Sequence, residues 1–226
     1  TDGNIVYAKD TSLGADNGIA CAIILDIFSD EKAEHGPLEG IFTVNEEVGL
    51  TGAFNIEEKD VASRMLLNLD SEEEGVFYIG CAGGIDVVGK KRAYWTKPEG
   101  EALSVKVSGL LGGHSGGEIH KERANAINIL ARYLNRLPSF TIASLNGGTR
   151  RNVIPSSAEA TIVVKDSSLA LSIASTLNDE IKNEYKISDP NITLSVEKAK
   201  LPEKVLTEKV SSKVGDLLFT SPYGVK

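Results

Sequence analysis

The sequence predicts an α/β protein in two parts, and three observations carry that reading. Up to about residue 97, short apolar runs alternate with a helix-like segment. A turn-forming stretch, TKPEG at 96–100, then interrupts the pattern. Beyond it the order becomes strand, helix, strand, strand, helix, strand. Alternating strands and helices suit a largely parallel sheet covered by helices. The second order suits a ferredoxin-like α+β arrangement of four antiparallel strands. The expected domains are 1–97, 98–202 and a closing helical segment, 203–226, that returns to the first.

In the first part, residues 4–8, 41–44, 65–70, 76–79 and 85–95 are expected as strands, because each is short and rich in branched or aromatic residues. Residues 18–28 read as a helix, with Asp16 or Asn17 as its N-cap. In the second part, 102–107 alternates apolar and polar residues, as a half-exposed strand does. Ala126, Ile127, Leu130, Leu134 and Leu137 recur at helical spacing and stop at Pro138. Strands at 140–145 and 158–164, a helix at 169–185, a strand at 192–196 and a helix at 206–219 complete the expectation.

Composition narrows the function. The chain has 226 residues, 41% of them apolar, and a formal net charge of -8. An acidic chain is a poor fit to nucleic acid or an anionic membrane, which both attract a basic face. No apolar run reaches the roughly 20 residues that span a bilayer. The opening TDGNIVYAKD has no signal-peptide pattern, and Cys21 and Cys81 fit neither a zinc motif nor a disulfide framework. A reduced, cytoplasmic protein is expected.

The informative stretch is IFTVNEEVGLTGA at 41–53, where Glu46 and Glu47 stand at the end of an expected strand. In an open α/β sheet ligands bind at that end. Adjacent carboxylates repel and need a proton, a base or a cation. Asp16, in LGADNGIA, and Asp70, in MLLNLD, end two further segments. Singly, these groups read as a solvated pair, a helix cap and an acidic loop. Jointly, they suit a divalent cation.

The motifs LGADNGIA, FTVNEEVGLTGA, LNLDSEEEG and GCAGGIDV, followed by GLLGGHSGGEIH and NGGTRRNVIP, resemble the aminoacyl-histidine dipeptidases. These belong to the dinuclear-metal peptidases, together with carnosinases and glutamate carboxypeptidases. The resemblance covers nearly the whole chain. It implies a partial zinc-peptidase-type catalytic domain followed by a ferredoxin-like lid. It also implies a pair of Zn²⁺ ions, with Mn²⁺ or Co²⁺ as alternatives. Asp16 would bridge the ions, Glu47 and Asp70 would be terminal ligands, and Glu46 would be the general base. His114 would stabilise the oxyanion, while Asn152 and Arg150 or Arg151 would hold the substrate's terminal carboxylate. The implied partner is a small peptide, with a homodimer formed through the lid.

Read alone, His114 is a turn histidine bonded to its own loop, and the arginine pair is a solvated surface feature. His35 and His120 receive no role. Relatives of this type carry metal-binding histidines before and after the matched stretch. This chain is therefore expected to be the middle of a longer enzyme, and by itself to bind zinc weakly and hydrolyse dipeptides far more slowly than the complete enzyme. A related N-acyl amino acid amidase, a carboxypeptidase and a non-catalytic association fragment are the alternatives.

Overall fold

A computed structural model describes residues 3–10, 17–71, 73–81 and 83–225. The chain divides into two units, 1–87 and 88–226.

In the first unit, helix α1 (Gly18–Ser29) begins at Asn17, whose side chain accepts the Ala20 N–H at 3.0 Å. That side-chain acceptor satisfies one of the amides that a helix start leaves unpaired. Two single 3₁₀ turns follow, Ala53–Asn55 and Glu58–Asp60. The strands expected at 4–8, 41–44, 65–70 and 76–79 are not formed, apart from a lone bridge residue at Ile5. Of 85–95, only Trp95 enters a strand, β1 (Trp95–Thr96). The physical reason is pairing. Apolar composition gives a segment strand propensity, but a strand ladder forms only where a neighbouring strand supplies the matching amides and carbonyls. None of the described residues of this unit is buried, and Met65, Leu67 and Phe77 are about nine-tenths exposed, at 91%, 89% and 93%.

The second unit is built on a four-stranded antiparallel sheet. Its strands are β2 (Glu101–Ser108), β3 (Thr141–Gly147), β4 (Ala158–Val164) and β5 (Thr193–Lys198), in the order β3-β4-β2-β5. Helix α2 (Ala126–Arg136) lies between β2 and β3 in the chain, and α3 (Ser167–Glu184) between β4 and β5. Register follows the period-two pattern. Leu103, Val105 and Val107 of β2 face one core, while Ser104 and Lys106 between them are exposed. Ile129, Leu130, Tyr133 and Leu134 of α2 and Ala174, Leu177 and Ile181 of α3 fill that core, so both helices cover the same sheet face.

Local signals fix the helix limits. Asn125 caps α2 by accepting the Ile127 N–H at 2.9 Å, and α2 closes at Leu137, just before Pro138. Asp166 caps α3 through the Leu169 N–H at 2.9 Å. Tyr133 is fully buried, and its hydroxyl donates to the Ala170 carbonyl at 3.2 Å. Burial pushes that phenol up to about 12. Strand β1 pairs with β6 (Val205–Leu206), and α4 (Glu208–Thr220) packs on α2. Gly215 of α4 leaves room for the Phe140 ring, which would lie 2.9 Å from an added Cβ.

One buried carboxylate joins two connections. Asp189, in the α3–β5 turn, is fully buried and accepts the Leu111 N–H at 2.8 Å and the Ala124 N–H at 2.7 Å. Those two donors flank the loop that carries His114. Asp189→Ala would orphan both, at roughly 1–3 kcal/mol for the buried Ala124 donor and less for the Leu111 amide, whose residue is exposed. The expected result is a lower urea midpoint for this unit with an unchanged slope. A midpoint equal to the parent protein's would show that the carboxylate is not holding the loops.

Candidate functional site

His114 stands in a glycine-rich turn between β2 and α2. Gly112 and Gly113 have φ of 65° and 126°, a region that side chains disfavour. A Cβ on Gly113 would also collide with the Glu118 carboxylate and the Arg123 guanidinium. The turn is zipped to the loop before β4 by an antiparallel bridge between His114 and Val153. Ser115 N–H donates to the Asn152 carbonyl at 2.8 Å, and Ile154 N–H to the Gly113 carbonyl at 2.8 Å. Because β2 and β4 are antiparallel, the end of one and the start of the other lie at the same end of the sheet. His114, Asn152 and the arginine pair are thereby brought into one neighbourhood.

Among the described residues, the imidazole is held through Nδ1. His114 Nδ1 accepts the Gly116 N–H at 3.2 Å and the Gly117 N–H at 3.0 Å. A nitrogen accepting N–H bonds carries no proton, so the neutral ring bears its proton on Nε2. The side chain is exposed, and Nε2–H is a donor suited to a developing oxyanion. Arg150, Arg151 and Asn152 form an exposed turn closed by Val153 N–H to the Arg150 carbonyl at 3.3 Å. Arg150 and Arg151 border a groove of about 730 Å³ whose walls include Ile127, Val153, Pro155 and Tyr223. A basic rim beside an apolar wall can hold a carboxylate that carries an apolar or aromatic body.

In the first unit, Glu46 and Glu47 begin a tight turn. The Glu46 carbonyl accepts the Gly49 and Leu50 N–H groups, both at 3.0 Å. Gly52 has no room for a side chain, since an added Cβ would lie 2.5 Å from the Val44 nitrogen. Asp70 is exposed, and its Oδ1 accepts from Asn17 Nδ2 at 3.3 Å, which ties the start of α1 to the MLLNLD segment. Asp16 lies outside the described residues. Among the described residues no three His, Cys, Asp or Glu side chains gather to hold a metal ion, so Glu46, Glu47 and Asp70 do not form such a site by themselves. His35 and His120 are exposed.

Sequence reasoning missed Glu118, Arg123 and Asp189. The Glu118 carboxylate accepts the His114 N–H at 3.0 Å and pairs with Lys121 at 2.6 Å and Arg123 at 3.3 Å. Its place four residues after His114, with Lys121 three further on, was the available signal. The Lys121 hydrogen bond, followed by the His114 N–H, lowers this carboxyl from 4.5 to about 2. A carboxyl depressed in the folded state contributes stability above its unfolded value and loses it as pH falls through the folded one. The clamp is therefore expected to be intact above pH 4.5 and to open as pH falls toward about 2. Amide exchange at His114 checks this: protection should fall across that window, and a pH-independent protection factor would contradict it.

Residues 105–189 match the family described as a peptidase dimerisation domain. Across 99% of its length the chain is 39% identical to the cytosol non-specific dipeptidase of Escherichia coli, covering 48% of that protein. The crystal structure of aminoacylhistidine dipeptidase from Vibrio alginolyticus aligns with all of the chain, at a TM-score of 0.71 and 33% identity, over 47% of its own length. The chain thus spans about half the length of the relatives it matches. No helix among the described residues is long and apolar enough to cross a membrane. The chain is thus similar along its length to these dipeptidases, and its residues 105–189 match a peptidase dimerisation domain.

Proposed function

We propose that the protein acts in the hydrolysis of dipeptides of the aminoacyl-histidine type, with divalent cations and with the second unit as a ferredoxin-like lid. The observation that carries this reading is the bridge between the His114 turn and the Asn152 loop. It supports an oxyanion donor beside groups that would bind a carboxylate, an arrangement suited to cleaving a short peptide with a free C-terminus. The strand–helix–strand–strand–helix–strand order and sheet order of residues 101–198 support the lid reading.

Each residue then has a task. Asn152 and Arg150 or Arg151 hold the substrate carboxylate, the guanidinium through paired N–H donors. His114 Nε2–H donates to the scissile carbonyl oxygen as charge collects on it. Asp16, Glu47 and Asp70 supply hard oxygen donors for Zn²⁺, Mn²⁺ or Co²⁺. Their chemistry suits the ions, and the Asn17–Asp70 hydrogen bond supports the closeness of two of the three segments. When bound, the cations supply Lewis-acid activation of water. Glu46 takes the proton of the attacking water and passes it to the leaving amine as the C–N bond breaks. The dimerisation-domain match supports a homodimer, and the cytosolic relative supports a cytoplasmic location.

The test is hydrolysis of glycyl-histidine by the protein loaded with Zn²⁺ or Mn²⁺. Hydrolysis that is abolished by chelation is expected. His114→Ala should lower kcat by roughly 10²- to 10³-fold, the usual loss for one oxyanion donor, with metal content unchanged. Cleavage that resists chelation, or a His114→Ala protein with parental turnover, would overturn the reading.

A further inference from the structure

We infer that Glu118, braced by Arg123 and Lys121, is the positioning residue that aims the His114 ring. This rests on the oxyanion role proposed for His114 and names the part that sets its orientation.

Residue 118 holds both backbone groups of His114. Its carboxylate accepts the His114 N–H at 3.0 Å, and its own N–H donates to the His114 carbonyl at 3.0 Å. The peptide planes on either side of His114 are therefore fixed by one residue, while the Val153 bridge fixes the strand direction. With the backbone held, the Gly116 and Gly117 amides reach Nδ1 and the ring keeps its proton on Nε2. The clamp is itself held. Arg123 pairs with Glu118 at 3.3 Å and donates to the Gly112 carbonyl at 2.5 Å, and its side chain is only 19% exposed. The Tyr223 hydroxyl donates to the Arg123 carbonyl at 2.8 Å. Glu118 and Arg123 also occupy the space where a side chain on Gly113 would go, so the glycine and the clamp require each other. Glu118 need not touch substrate: it fixes the direction of the donor that does, and misplacing a catalytic group by about 1 Å can cost up to about 10²-fold in rate.

The test reads the ring and the rate separately in Glu118→Ala and Glu118→Gln. Nitrogen-15 resonances of the parent His114 should show one neutral tautomer, protonated on Nε2. In Glu118→Ala the two tautomers should mix, and kcat for glycyl-histidine should fall by up to about 10²-fold with KM little changed. Glu118→Gln keeps an acceptor for the His114 N–H but loses the charge that Lys121 and Arg123 hold. It should change both readouts in the same direction by less, and it decides the matter if the Ala variant does not fold. Parental ring resonances in a folded variant would overturn the inference, whether or not kcat falls, because any loss would not then pass through His114. If the parent protein hydrolyses no dipeptide, the functional reading fails and the ring resonances alone decide the positioning role.

Discussion

Two backbone hydrogen bonds, Ser115 to Asn152 and Gly113 to Ile154, tie together loops that are some forty residues apart in sequence. They are possible because β2 ends where β4 begins, at one end of an antiparallel sheet. Everything proposed for the second unit depends on that geometry. It brings the histidine turn to the arginine turn and lets a buried Asp189 hold the flanks of the histidine turn from the α3–β5 connection. The core beneath fixes the strands, since Leu103, Val105, Ile129, Leu130 and Leu177 are fully buried together. Packing of this kind sets the loops' starting points, and the polar clamps set their final conformation.

The second unit was legible because its signals were local. Alternation in 102–107, the apolar spacing of α2 and the stop at Pro138 each act within a few residues. The bridge between His114 and Val153 was not legible, because it depends on which strands pair. Glu118 lay in plain view, but its meaning depends on a turn that folds its carboxylate back onto the His114 amide. Asp189 gave no sign of burial, since its partners lie 65 and 78 residues away.

The first unit shows the limit of composition. MLLNLD and IFTV have strand propensity, yet no described residue forms a strand ladder with them and none of their residues is buried. A parallel sheet is stabilised by neighbours on both sides and by helices on both faces. Apolar runs without those neighbours remain an exposed apolar surface. The carboxylate proposal inherits that condition. Asp70 is tied to Asn17, and the turn after Glu46 is fixed by Gly49 and Gly52, but three ligands do not gather among the described residues.

The central claim is that the zipped loops of the second unit form one substrate-binding end. Titrating the isotope-labelled protein with glycyl-histidine, while following backbone amide resonances at a pH where hydrolysis is suppressed by chelator, addresses it directly. The account predicts saturable shifts concentrated in residues 112–118 and 147–155, on both sides of the His114–Val153 bridge. Shifts confined to the exposed sheet face of Ser104 and Lys106, or absent from one of the two loops, would contradict it.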